Sequence, residues 1–209
     1  IVGAGGQGVS AAACALQGGR FGRIAFLDDR LPPGTRVLGL PVLGPVRLLD
    51  RWKSRFGCIH VAIGENQIRL TLLQTACALG YAAPPLVHPS ALVSPWAQLE
   101  PGCAVLAGAA VGPLCVAGTG AIVNTRAVAE HHCRIGAGAH LSPMACLLGR
   151  ARVERCGWVC ARATVLPGVT VGENAVVGAG AVLRSDLPPG ALAVGTPARI
   201  VRRGAADEF

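Results

Sequence analysis

Every sixth residue from Val87 to Leu183 is apolar: seventeen consecutive positions, fifteen of them Val, Ile or Leu. Four residues after each, from Ala91 to Ala181, stand eleven Ala, three Cys (Cys103, Cys115, Cys133), Gly157 and Val169. Such a frame predicts a parallel β-helix built from hexapeptide repeats. Each hexad is a short strand plus a corner: the aliphatic residue fills the interior, and the small one lets the chain turn close to the axis. Three hexads close a triangular coil of 18 residues. Coils then stack at roughly 4.8 Å, the inter-strand spacing, so residues 18 apart lie above one another. Nothing interrupts the frame, so no long loop is expected to leave the helix.

The first half follows another pattern. "IVGAGGQGVSAAACALQGG" reads as a short apolar strand, a glycine-rich turn and a helix start. "GRIAFLDD" gives a second strand ending in Asp28 and Asp29, and "CIHVAIG" a third. The helix that follows keeps Ile68, Leu72, Leu73, Ala76 and Leu79 at helical spacing. Alternating strands and helices predict a small Rossmann-like parallel sheet with ligands at the carboxyl ends of its strands. About 85 residues suit half a dinucleotide fold holding one nucleotide. The expected organisation is an α/β nucleotide-binding domain over 1–86, a β-helix over 87–185 and a closing segment with tail over 186–209, the prolines of "PPLVHPSALV" marking the first boundary.

Composition narrows the partners. The chain of 209 residues is 52% apolar and 14% charged, with 29 Gly, so the core must be built from small aliphatic side chains. The net charge of +8 comes from scattered arginines, Lys53 being the single lysine. Without a basic run or aromatics to stack bases, this argues against nucleic acid and suits a polyanionic small molecule such as a nucleotide or coenzyme. The stretch 101–125 is uncharged and long enough to span a bilayer, but its five glycines, two prolines and hexad period exclude a membrane helix. Nine cysteines without a CxxC pair, and no visible secretory signal, point to a reducing cytoplasm. Cys103, Cys115 and Cys133 fall on small inward positions and read as core. The final "GAADEF" reads as a disordered tail or cloning remnant.

Candidate chemistry gathers in two places. Gly3, Gly5, Gly6 and Gly8 precede the first helix, where free backbone N–H groups favour phosphate. Three of the five histidines, His131, His132 and His140, lie in "VAEHHCRIGAGAHLS". Gly149 lies one coil above His131, on the same corner, so its backbone N–H can face the same cleft.

The segments "VGAGGQG", "FLDD", "VAIGENQIR", "HPSALV", "VNTRAVAEHHCRIGAGAHLSP", "VLPGVTVGENAVVGAGAVL" and "VGTPARIV" occur in an order that resembles the sugar acyltransferases of the left-handed β-helix superfamily: sialic acid O-acetyltransferases (NeuD type) and UDP-4-amino-sugar N-acetyltransferases (PglD type). The resemblance implies a homotrimer, acetyl-CoA bound in clefts between neighbouring helices, no metal, and a nucleotide-sugar held partly by the N-terminal domain. It makes His131, the histidine of "EHxC", the general base, and puts His140 by the acetyl-donor pocket with Gly149, Ala161, Gly178 and Pro197. The acceptor would meet Gly3, Gly5, Gly6, Gly8, Asp28, Asp29, Asn66, Arg69, Asn124 and Thr125. The residue after the base is usually an acid in this family; here it is His132, which can fix a tautomer but supplies no charge. The leading expectation is acetylation of a UDP-4-amino-4,6-dideoxy sugar by direct transfer in a ternary complex. Sugar O-acetylation is the alternative within the class; a noncatalytic nucleotide-sugar-binding protein and a zinc-dependent enzyme of the gamma carbonic anhydrase kind are the alternatives outside it.

Overall fold

The computed structural model describes residues 1–202. The tail assigned to "GAADEF" lies outside the described residues, as does the end of the 186–209 segment.

The hexads fold as their period predicts. Two-residue strands alternate with four-residue corners and stack in parallel at a register of 18: Val128 lies beside Ala110 below and Cys146 above. Three faces result. The first carries Leu86–Val87, Ala104–Val105, Ile122–Val123, His140–Leu141, Trp158–Val159 and Val176–Val177; the second runs from Leu92–Val93 to Val182–Leu183; the third runs from Gln98–Leu99 to Thr170–Val171. The chain closes with Leu192–Val194 on the first face and an antiparallel partner, Arg199–Arg202. Inside, the aliphatic column and the small column form one core, and Cys103, Cys115 and Cys133 are fully buried in it. The uncharged stretch 101–125 is therefore β-helix, and among the described residues no helix is long and apolar enough to cross a membrane.

From Gly102 to Gly180 each corner places one residue in the left-handed region, and the residue at that place differs by corner. Between the third and first faces stand Gly102, Gly120, Gly138, Cys156, Asn174 and Gly190; between the second and third stand Leu114, His132, Arg150 and Gly168. The glycines of the first column leave room for a helix that lies against it.

That helix belongs to the N-terminal domain, where short strands through Val42, Phe26–Leu27, Val2 and Val61 run parallel, with Cys58 bridged to Ala82. Its helices are α1 (Gly6–Gly18), the short α2 (Leu49–Trp52) and α3 (Asn66–Ala78). The residues α1 buries include Ala11, Cys14 and Ala15, which pack with Leu86, Ala104 and Leu106 on the first face. α3 lies on the glycine corner: a Cβ on Gly102 would come within 2.5 Å of Leu73, and one on Gly138 within 3.2 Å of Leu70.

The buried side of α3 differs from the expected one. It is made by Asn66, Arg69, Leu70, Leu73 and Ala76, while Ile68 and Leu79 are 51% and 37% exposed. The stripe has rotated because Arg69, which reads as a surface residue, enters the seam between the two domains.

Candidate active site

His131 and His132 occupy the corner between the second and third faces, both exposed. Backbone bonds to the neighbouring coils fix this turn: His132 N–H donates to Pro113 O, and Arg150 N–H donates to His131 O, both at 2.9 Å. His132 has φ +62°, a conformation that costs most L-residues energy. The two rings stand edge to face, with Nδ1 of His131 3.1 Å from Nδ1 of His132. Glu130 makes no side-chain hydrogen bond and does not orient the imidazole.

Gly149 sits against this ring. A Cβ there would lie 2.5 Å from both Cε1 and Nε2 of His131, so the missing side chain makes room for the Nε2 edge of the imidazole. The Gly149 amide enters no hydrogen bond among the described residues, and neither do those of Ala107, Ala137 and Ala161, the equivalent residues of other corners. Unpaired corner amides are thus general to this helix; what distinguishes Gly149 is a histidine Nε2 beside one.

Cys133 is not a nucleophile in this geometry. Its thiol is inside the coil and donates towards Leu148 O at 3.2 Å. The neighbouring Cys115 thiol and burial push it well above the ordinary thiol range.

His140 belongs to a different place. It points outward from the first face but is buried, 7% exposed, stacked on Trp158 at 5.9 Å, with Nε2 3.1 Å from Asn124 Nδ2. Burial, helped by the charge of Arg69, pushes it down to about 3 and keeps it neutral. The Asn124 side-chain oxygen accepts the Thr125 amide, so this expected acceptor-site pair forms a local turn whose amide group holds His140. The three histidines therefore do not converge, and among the described residues no group of three or more His, Cys, Asp or Glu is placed to hold a metal ion.

Two residues expected to meet the acceptor, Arg69 and Asn66, are engaged within the protein. Arg69 is 1% exposed, and its guanidinium donates to Gly120 O, Ile63 O, Gly64 O, Asn66 Oδ1 and Gly138 O at 2.6–3.1 Å. Asn66 donates to Cys156 O at 3.0 Å. These side chains are fully used in joining α3 to the corner of the β-helix, and neither can reach a ligand without breaking that seam.

The glycine loop keeps its predicted form. Gly3 has φ +90°, and a Cβ on Gly8 would overlap the Gly3 carbonyl, so both must be glycine. Gly5 and Gly6 are exposed, and α1 begins with no side-chain cap, leaving first-turn amides open. Asp28 is occupied: its carboxylate accepts from Ala4, Arg30 and Leu31 N–H at 2.7–3.0 Å. Partial burial opposes its ionisation, but those three donors and Arg30 outweigh it and hold the carboxyl below its usual range. Asp29 accepts from Val46 N–H through one oxygen only. Of the expected coenzyme contacts, Ala161 has a free amide and Pro197 is exposed, whereas the Gly178 amide donates to Ala193 O and its missing side chain makes room for Val194.

Comparison with known proteins agrees with this architecture. Residues 1–76 match the family described as PglD N-terminal domain. The fold superposes with a TM-score of 0.93 on a variant of perosamine N-acetyltransferase from Caulobacter crescentus solved with CoA and GDP-perosamine, at 37% identity over 97% of this chain and 96% of that one. It superposes with a TM-score of 0.92 on the acetyltransferase domain of PglB from Neisseria gonorrhoeae FA1090 in complex with acetyl coenzyme A, at 40% identity over 96% and 97% of the two chains. Similarity to curated sequences is local: 42% identity over 45 residues to galactoside O-acetyltransferase of Escherichia coli, 22% of the length of each. A nucleotide-type α/β domain docked on a hexapeptide β-helix, with full-length likeness to two such enzymes, shows that this chain belongs to the left-handed β-helix sugar acyltransferases of the PglD type.

Proposed function

We propose that the protein transfers the acetyl group of acetyl-CoA to the amino group of a nucleotide-linked amino sugar. The observation that carries this reading is His131: exposed, with its Nε2 edge against a side-chain-free Gly149 whose amide is unpaired. In a ternary complex, Nε2 takes the proton of the attacking amine, and the Gly149 N–H receives the developing thioester oxyanion. General-base assistance of this kind contributes roughly 10²–10⁴-fold. No covalent acetyl-enzyme forms, and no metal takes part. The open amides at the start of α1, with Gly5 and Gly6, suit the sugar nucleotide's diphosphate, and the free corner amide at Ala161 suits the coenzyme's amide-rich arm.

A second copy completes the site. In one chain the N-terminal domain covers the first face and the corner it shares with the third, while His131 stands on the corner between the second and third. The acceptor bound by one chain's domain therefore meets the His131 of another. The second face, with the ladder Leu92, Ala110, Val128, Cys146, Thr164 and Val182 and Leu92 itself 73% exposed, supplies the surface on which copies pack as a trimer. In functional terms residues 1–86 hold the nucleotide, 87–185 form the transferase body, and the segment from 186 closes it. Nine unpaired cysteines suit a reducing cytoplasm.

The test is incubation with acetyl-CoA and a panel of UDP- and GDP-linked amino sugars, CMP-sialic acid and free sialic acid, following thiol release and product mass. Acetylation on nitrogen that is lost in His131→Ala is the expected result. Acetylation on oxygen moves the enzyme to the sugar O-acetyltransferases, and tight binding of both ligands without thiol release makes it a binding protein.

A further inference from the structure

The hydrogen bond between the two histidines carries information about protons. Nδ1 to Nδ1 at 3.1 Å requires that one nitrogen bear hydrogen and the other a lone pair, since two donors or two acceptors repel. Each ring then has its other nitrogen in the opposite state. If Nδ1 of His131 is the donor, its Nε2, the edge against Gly149, is a bare lone pair. If Nδ1 of His131 is the acceptor, Nε2 carries hydrogen and cannot take a proton.

We propose that His132 is a positioning residue that accepts a hydrogen bond from Nδ1–H of His131 and so holds His131 in the tautomer whose Nε2 is free to act as base. This rests on the reading of His131 as the general base. Other ionisable groups do not compete for the bond. Glu130 precedes the pair, Arg134 follows it, Arg150 is on the corner above, and the thiols of Cys115 and Cys133 lie inside; none hydrogen-bonds to either ring. The coil below contributes Gly112, Pro113, Leu114 and the inward Cys115 at this corner. During transfer, the amine proton goes to Nε2 of His131, and the resulting imidazolium keeps donating through Nδ1 to neutral His132. After product leaves, the Nε2 proton passes to solvent, and the pair returns to its starting state. A second proton is excluded while the bond exists, because it would set two donors against each other.

A neutral acceptor differs from a carboxylate in a measurable way. It fixes orientation without bringing a negative charge, so replacing it with an acid should favour the imidazolium form more strongly than His132 does. The left-handed backbone at position 132, φ +62°, is tolerated by Asn and Asp better than by Ala, which guards the experiment against a misfolded variant.

The experiment uses the full chain labelled with ¹⁵N-histidine; His131 and His132 signals are assigned by their loss in single substitutions, and tautomers are read from nitrogen shifts and couplings. The wild type should show His131 protonated on Nδ1 and His132 on Nε2. His132→Ala should move His131 towards the Nε2–H form and lower kcat roughly 10–100-fold, the usual cost of losing a group that orients a functional histidine, with both KM values nearly constant. His132→Asn, which retains a neutral acceptor, should restore the Nδ1–H form and most of kcat. His132→Asp should restore it too and shift the acidic limb of kcat/KM upward by about 1 pH unit or more. His131 protonated on Nε2 in the wild type, or a His132→Ala enzyme with unchanged kcat, overturns the proposal. An active His131→Ala enzyme would instead refute the base reading, whatever the tautomers show.

Discussion

Replacing Arg69 with Met removes a side chain that hydrogen-bonds α3 to two coils of the β-helix at once. Five oxygens lose a donor: Gly120 O and Gly138 O on the corner, Ile63 O and Gly64 O at the end of the sheet strand, and Asn66 Oδ1. Burial pushes the guanidinium down to about 10 against the opposing influence of Cys156 and Glu65, so it remains a cation whose hydrogen bonds all go to amide oxygens. Hydrogen bonds to a charged group contribute about 1.5–3 kcal/mol each when intact. Part of that offsets the desolvation of a cation that is 1% exposed, and breaking such a buried charge network typically costs about 3–5 kcal/mol. For a chain of this size that corresponds to an apparent Tm lower by on the order of 10 °C. Calorimetry should further split the transition, with the N-terminal domain melting first and amides of the glycine corner exchanging faster. Arg69→Lys should recover part of the loss, since one ammonium has three donors where the guanidinium has five. A shift below about 2 °C for Arg69→Met, with corner exchange unchanged, would show that Leu70 and Leu73 hold the seam and that the carbonyl cradle contributes nothing.

Three further outcomes are expected. Gly149→Ala sets a Cβ 2.5 Å from two ring atoms of His131; kcat should fall roughly 10²-fold or more while the melting temperature hardly moves, and an unaltered kcat would remove Gly149 from the site. Cys133→Ala should leave kcat within about twofold, because a buried, protonated thiol takes no part; loss of turnover in a folded variant would reopen covalent catalysis. Acid should weaken the fold through His140: its folded value of about 3 lies below the unfolded 6.5, so the unfolded chain binds the extra proton, and stability present above 6.5 is lost as pH falls towards 3. At pH 5 that amounts to roughly 2 kcal/mol; buried His60, also pushed down to about 3, adds a similar loss, so urea unfolding at pH 7.5 and 5 should show the acid loss smaller by about 2 kcal/mol in His140→Gln rather than abolished.

The β-helix could be read from sequence because its constraint is steric and repeats: Val123, Leu141 and Val159 must fill the same column, and Ala121, Ala139 and Gly157 must let the same corner close. The glycine turn was legible for a similar reason, since a Cβ at Gly8 has no space. Arg69 was not. A cation on an amphipathic helix reads as solvent-facing, and the carbonyls that receive it come from residues 51 and 69 positions away. Asp28 read as a ligand group for want of knowing that three nearby amides already claim it. At the histidine corner the sequence marked His132 as a departure from an acid, yet its contact with His131 depends on a left-handed turn at a histidine. Gly149 was identified as an amide donor from the 18-residue offset; that it also makes room for the imidazole emerges only from the ring's position.

The two nested periods of the β-helix constrain how such a chain can change in length. Core alternation repeats every six residues, but vertical neighbours repeat every eighteen, as Arg134 beside Arg152 illustrates. A duplication of eighteen residues would lengthen the prism and leave every column intact. A duplication of six placed between residues 102 and 131 would satisfy the core equally well while turning everything after it by one face, carrying the histidine pair from its own corner to the one where α3 docks. Viability of the fold and retention of the active site are thus governed by different arithmetic, and only insertions in whole coils satisfy both.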